Sequence, residues 1–199
     1  MIDRLNTVLR RIPAWLIYLG SAGYAGWLFW QGVAGQLGAN PVEALEHAYG
    51  RAALYMLVAG LAVTPLRRFA GLNLLKYRRA IGLSCFFFVV AHLAVWAVLD
   101  VQSLGRVWAD IVKRPYITVG MAAALAMVPL AITSNNRSVR WLGSRWRRLH
   151  RLTYGAAMLG VLHYFMQAKG WEVRPLVFVA IVLLLLALRI RQKRVARTG

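Results

Sequence analysis

Long uncharged runs alternate with short clusters of arginine along this chain. Between Arg11 and Glu43 lie 31 residues without formal charge, between Arg79 and Asp100 there are 20, between Arg114 and Arg137 22, and between Arg151 and Lys169 17. At about 1.5 Å per residue, each run can supply a helix that crosses roughly 30 Å of hydrocarbon. Two runs are shorter, 15 residues from Arg51 to Arg67 and 14 from Arg174 to Arg189. The arginines that bound them have stems long enough to reach the interface, so snorkelling extends the usable length. The pattern predicts an all-α integral membrane protein, a six-helix bundle with spans at about 13–33, 46–66, 79–99, 116–134, 149–168 and 174–190. Short loops, with no internal repeat, low-complexity tract or long linker, make residues 1–199 one domain.

Composition agrees, since 60% of the residues are hydrophobic and the mean hydropathy is +0.55. The net charge of +19 adds orientation. With the N-terminus inside, six spans leave 19 of the 25 lysines and arginines on the cytoplasmic side with one acid, Asp3. The other six, Arg51, Arg106, Lys113, Arg114, Lys169 and Arg174, fall outside with Glu43, Glu46, Asp100, Asp110 and Glu172. That asymmetry follows the positive-inside rule and puts both termini in the cytoplasm. Nucleic acid is not the expected partner, because the basic clusters sit at alternate helix ends instead of on one surface; membrane lipid is.

The first span reads as a retained helix and not a cleaved signal peptide, its apolar stretch being longer than the usual signal core. Gly20-Ser21-Ala22-Gly23 in its middle reads as a close-packing surface for a neighbouring helix. The single cysteine, Cys85, excludes an internal disulfide and reads as a small apolar core residue. With no Gly-rich phosphate loop and no nucleophile–base constellation, the chain has no catalytic residues of its own, and any redox chemistry must borrow electrons from a partner.

Three of the four histidines, His92, His150 and His163, lie within or at the edge of uncharged stretches apolar enough to cross a membrane, where a polar ring is costly and therefore suspect. His92 lies 13 residues beyond Arg79 and His163 lies 12 beyond Arg151, both on helices running outward. Those counts put the two rings roughly 20 Å and 18 Å from the cytoplasmic edge, the same depth to within about a turn. Two neutral imidazoles facing each other across a bundle can hold one heme iron from both sides, with the flat apolar porphyrin between helices. His92 and His163 are thus the expected heme iron ligands.

His150 stands at the cytoplasmic start of the fifth span, within Trp146-Arg147-Arg148-Leu149-His150-Arg151, where arginines could hold heme propionates or a flavin phosphate. It lies about 20 Å along the axis from His163, and on an ideal helix the two rings point about 140° apart. The matching positions of the third span are Arg78 and Arg79, so a second, inner heme on His150 needs a non-histidine or absent sixth ligand, and the residues are compatible with one heme or two. His47, with Glu46 and Arg51, reads as a solvated helix start at the outer mouth of the second span, or as a contact for propionates or a partner.

The residues carry a resemblance. Asn40-Pro41-Val42-Glu43 with His47-Ala48-Tyr49-Gly50-Arg51, Thr64-Pro65-Leu66-Arg67, Arg78-Arg79-Ala80-Ile81-Gly82-Leu83, His92-Leu93, Arg114-Pro115-Tyr116-Ile117-Thr118-Val119-Gly120, Thr133-Ser134, Trp146-Arg147-Arg148-Leu149-His150 and His163-Tyr164 stand in order over nearly the whole chain. This set resembles the heme-binding membrane subunits of bacterial periplasmic methionine sulfoxide reductase systems (the MsrQ family) and, more remotely, the ferric reductase and NADPH oxidase transmembrane domain. The resemblance implies a multi-pass protein of the bacterial inner membrane with heme b held at His92, His150 and His163, and a bound FMN. It implies a periplasmic molybdopterin methionine sulfoxide reductase as heterodimer partner, and the quinone pool or a cytoplasmic flavin reductase as electron donor. The eukaryotic oxidases carry two histidines on the third span, where this chain has one.

The expected function is therefore transmembrane electron transfer for the repair of oxidised proteins, as one subunit of an oxidoreductase complex. A quinone-linked cytochrome b or a metal-ion reductase with another acceptor would use the same heme. A non-redox transporter or assembly protein would use the histidines to relay protons or to pack, but the paired Gly/Pro-broken helices typical of transporters are not evident.

Overall fold

The computed structural model describes residues 2–168 and 172–195, the last six of these as backbone only. Lys169, Arg197 and the side chains of Arg191, Lys193 and Arg194, all used in the charge reading, lie outside the described residues. In chain order the helices are α1 (Ile2–Arg11), α2 (Trp15–Val33), α3 (Pro41–Phe69), α4 (Arg78–Ala94), α5 (Leu104–Lys113), α6 (Pro115–Ile132), α7 (Asn136–Leu142), α8 (Ser144–Leu149), α9 (Leu152–Gln167) and α10 (Val173–Val195). A 3₁₀ turn, Leu75–Tyr77, leads into α4, and a π-helix, Val95–Val101, continues it. Among the described residues there are no strands.

Three described helices are long and apolar enough to cross a membrane: Pro41–Phe69, the continuous Leu75–Val101 and Pro115–Ile132. The other three long helices, α2, α9 and α10, fall where the hydropathy pattern predicts the first, fifth and sixth spans. The short helices α1 and α5 are strongly amphipathic and bury no residue. On α5, Leu104, Trp108 and Val112 form one exposed stripe at four-residue spacing.

Two pairs organise the interior. α3 packs closely on α4, and α6 packs closely on α9, while α4 meets α6 and α3 meets α9 much more sparsely. α2 closes the first pair with Ala25 and Leu28 against Leu45, Tyr49 and Phe88, and the Tyr49 hydroxyl donates to the Ala25 carbonyl at 2.8 Å. α10 closes the other side, where Leu54, Leu61, Ala157, Val161 and Val182 form a second buried cluster. The last carbonyls of α1 have no helical partner, and the loop before α4 supplies one: Lys76 Nζ donates to the Arg10 and Ile12 carbonyls at 2.7 Å each.

Of the four small residues of α2 expected to form a close-packing surface, Ser21 does face the bundle but Gly20, Ala22 and Gly23 are exposed. Ser21, Ala25 and Leu28, at helical spacing, face the bundle, whereas methyl groups built on Gly20 and Gly23 would meet nothing within 4 Å. Arg189 also departs from expectation, since it turns inward and is 9% exposed instead of snorkelling. The cause lies on α3. Pro65 is inside that helix and has no N–H to give the Leu61 carbonyl, and Arg189 Nη2 donates to it at 2.7 Å, with a longer bond of 3.3 Å to the Gly60 carbonyl. Cys85 is buried, with its thiol 3.3 Å from the Ala53 carbonyl, as a small core residue would be.

Candidate functional site

His92 comes from the last turn of regular α-helix in α4, just before the backbone widens into the π-helix. His163 comes from α9. The structure brings them together, with ring centres 6.3 Å apart and planes inclined at 69°. Each ring is held from behind in the same way: His92 Nδ1 lies 3.0 Å from the Glu46 carbonyl of α3, and His163 Nδ1 lies 2.7 Å from the Tyr116 carbonyl of α6. A carbonyl only accepts, so Nδ1 carries the proton in both rings and Nε2 carries the free lone pair. A backbone carbonyl on the far nitrogen is how metal-bound histidines are commonly oriented.

Between the two helix pairs lies a cavity of about 820 Å³, within the range of small-molecule and cofactor sites. Its walls are lined by the apolar Leu54, Leu57, Val89, Leu93, Met121 and Met127 together with the two histidines. Its rim is charged, with Glu46, Arg51, Asp100, Arg114, Glu172 and Arg174. Arg114 is tethered there by Asp110, at 3.4 Å from Nε, and by the Tyr116 hydroxyl, which accepts from Nη1 at 3.4 Å. His47 also lines the cavity and is not simply solvated: the Gln167 amide, which alone of the two groups must donate here, reaches His47 Nε2 at 2.6 Å.

His150 is elsewhere. α9 begins only at Leu152, so His150 sits in the turn after α8, and the ideal-helix angle to His163 does not apply. Its ring stacks on Trp146, with centres 3.9 Å apart. The Thr133 hydroxyl gives its single proton to the Pro129 carbonyl at 2.6 Å, which leaves it to accept from His150 Nε2 at 3.0 Å. Trp146 Nε1 donates to the Thr133 carbonyl, closing the cluster. Of the three expected site histidines, two meet, and the third is not among the residues that line their cavity.

Two glycines that the sequence pattern does not single out lie against the two rings. A methyl group built on Gly50 would lie 3.3 Å from His92 Nδ1, and one built on Gly120 only 2.7 Å from His163 Nδ1. The signal was available, since both are mid-helix glycines, which cost stability relative to alanine and call for a reason. Among the described residues no group of three or more His, Cys, Asp and Glu could hold a bare metal ion.

Residues 49–161 match the family described as "Ferric reductase like transmembrane component". The chain is 45% identical over 177 residues, 88% of its length and 80% of theirs, to proteins of Brucella ovis, Brucella canis and Brucella suis, each named "Protein-methionine-sulfoxide reductase heme-binding subunit MsrQ". The chain belongs to the MsrQ family. No solved structure matches it. The family match begins at Tyr49 and ends at Val161, so it takes in His92 and His150 and stops two residues short of His163, which lies within the longer similarity to the Brucella proteins, since a stretch of 88% of the chain cannot end before it.

Proposed function

We propose that this protein is a heme b electron-transfer subunit that carries electrons across the bacterial inner membrane to a periplasmic molybdopterin methionine sulfoxide reductase, its heterodimer partner, for the repair of oxidised proteins. The observation that carries the reading is the pair of histidines with matched orientation. If both rings held one iron, at the metal–nitrogen distance of about 2 Å usual for imidazole, their centres would be expected roughly 6 Å apart. The separation of 6.3 Å fits that arrangement without rebuilding the helices. Two imidazoles are too few for a structural zinc site but suffice for an iron whose other four positions belong to a porphyrin.

The heme supplies a one-electron couple whose potential is tuned by its axial ligands and its surroundings. The residues of this chain do the rest. His92 and His163 bind, each oriented by a carbonyl. The apolar walls of the cavity keep the ligand nitrogens dry, and Arg51, Arg114 and Arg174 at the rim offer counter-charges to carboxylates. At the other end His150, amid Arg147, Arg148 and Arg151, frames an inner cofactor, either FMN or a second heme. Iron at His150 would require its Nε2 to leave Thr133 or its Nδ1 to bind instead.

Six spans with both termini cytoplasmic support an inward donor, quinone or a cytoplasmic flavin reductase, and an outward acceptor. Reporters test the direction: one fused after Gly199 is expected in the cytoplasm and one inserted near Gly105 in the periplasm. Periplasmic activity from the first would reverse the direction of flow. The chemistry is tested by the absorption spectrum of the purified protein. A Soret band that shifts on reduction by dithionite is expected, and a colourless preparation would end the heme reading.

A further inference from the structure

The two histidines are held by one device used twice. Glu46, whose carbonyl meets His92 Nδ1, stands four residues before Gly50, the residue that the His92 ring lies against. Tyr116, whose carbonyl meets His163 Nδ1, stands four residues before Gly120, the residue that the His163 ring lies against. The coincidence has a geometric cause. In an α-helix the Cα–Cβ bond tilts toward the N-terminus, so a side chain covers the turn that precedes it, and the carbonyl of residue i lies beneath the side chain of residue i+4. A residue with no Cβ at i+4 leaves the second lone pair of that carbonyl open to a donor from a neighbouring helix.

We propose that Gly50 and Gly120 are positioning residues that uncover the Glu46 and Tyr116 carbonyls, and thereby fix the tautomer, the plane and the basicity of His92 and His163 as iron ligands. This inference rests on the bis-histidine heme reading. It also predicts a ranking between the two sites. An alanine Cβ at position 120 would lie 2.7, 2.9 and 3.1 Å from His163 Nδ1, Cε1 and Cγ, the first two closer than real Cβ contacts come, so the ring must shift from its place against the Tyr116 carbonyl. At position 50 the corresponding contacts are 3.3, 3.5 and 3.9 Å to His92, which a shift of a few tenths of an ångström relieves. An imidazole that loses its Nδ1–H···O=C bond is a weaker donor to ferric iron, which moves the iron couple to a more positive potential.

The test uses the full-length heme-loaded protein and its Gly50→Ala, Gly120→Ala and Gly82→Ala variants. Gly82 is the control: it sits inside α4, and a methyl group there meets nothing within 4 Å. Low-spin EPR spectra and midpoint potentials are measured after matching heme content. The expected result is a shifted largest g value and a more positive midpoint in Gly120→Ala, a smaller shift of the same sign in Gly50→Ala, and the wild-type spectrum in Gly82→Ala. If Gly120→Ala loses its heme while Gly82→Ala keeps it, Gly50→Ala decides, because its contact is mild enough for the ring to stay. Wild-type spectra and potentials in both Gly50→Ala and Gly120→Ala would overturn the proposal, as would an equal shift in Gly82→Ala. A wild-type protein with no bis-histidine low-spin signal would instead remove the heme reading on which the proposal stands.

Discussion

The outer pair of histidines and the inner His150 are the same side chain in opposite chemical states of readiness. At His92 and His163, both of which line the cavity, the polar neighbour is a carbonyl, which takes Nδ1–H and leaves the lone pair on Nε2. At His150 the polar neighbour is a hydroxyl already committed to another carbonyl, which takes Nε2, and Trp146 covers one ring face. Proximity to the membrane makes all three suspect, and the partner of each ring nitrogen distinguishes two rings engaged through Nδ1 from one engaged through Nε2. α6 serves both regions. Its first turn presents the Tyr116 carbonyl to His163, and Thr133 at its C-terminal end holds His150.

The sharpest way to break this comparison is to delete the rings in turn. His92→Ala and His163→Ala should each abolish the same low-spin heme component, since removing either axial ligand leaves the iron without its pair. Hemochrome content and spectra measure it, and full wild-type heme in either variant would refute the pairing. His150→Ala should leave that component largely intact but slow its reduction by a cytoplasmic-side donor, because about 20 Å separates the two levels. Stopped-flow traces with the donor and with dithionite, at matched heme content, separate the outcomes. Equal donor rates would reduce His150 to a structural residue, and complete heme loss would make it a ligand of the only heme.

Smaller effects sharpen the contrast. Arg189→Met should lower the unfolding free energy by about 1–3 kcal/mol, because the Leu61 carbonyl stranded by Pro65 loses its donor. Pro65→Ala restores a helical N–H to that carbonyl, so the double variant should lose less than the sum of the two single changes, a coupling read from thermal unfolding in detergent. Thr133→Val should cost about 1 kcal/mol through the lost bond to His150 and leave the spectrum of the His92–His163 component unchanged. A changed outer spectrum in that variant would mean that the two regions communicate along α6.

Much of the architecture was legible in residue order because burial in a membrane makes an explicit demand. Uncharged runs between charged residues fall close to the long helices among the described residues, from α2 at 15–33 to α10 at 173–195, three of which are long and apolar enough to cross a membrane. Depth was legible too, since rise per residue is nearly constant, and counting from Arg79 and Arg151 matched His92 to His163 before any packing was known. Features that depend on the angle about a helix axis were not. The count carried the fifth span back to position 149, whereas a turn at His150 and Arg151 separates α8 from α9. It let Arg189 snorkel, whereas Pro65 on another helix draws it inward.

By itself, then, the order of residues determined the class of fold, the positions of the long helices and the depth of the histidines, because hydropathy, charge and rise per residue are properties of a single segment. The tertiary structure alone decided which nitrogen of each ring is free, which glycine stands behind it, and that the rings come within 6.3 Å. Those depend on how α3 faces α4 and how α6 faces α9, and the rotation of one helix against another is set by the interlocking of both surfaces, which neither segment encodes alone.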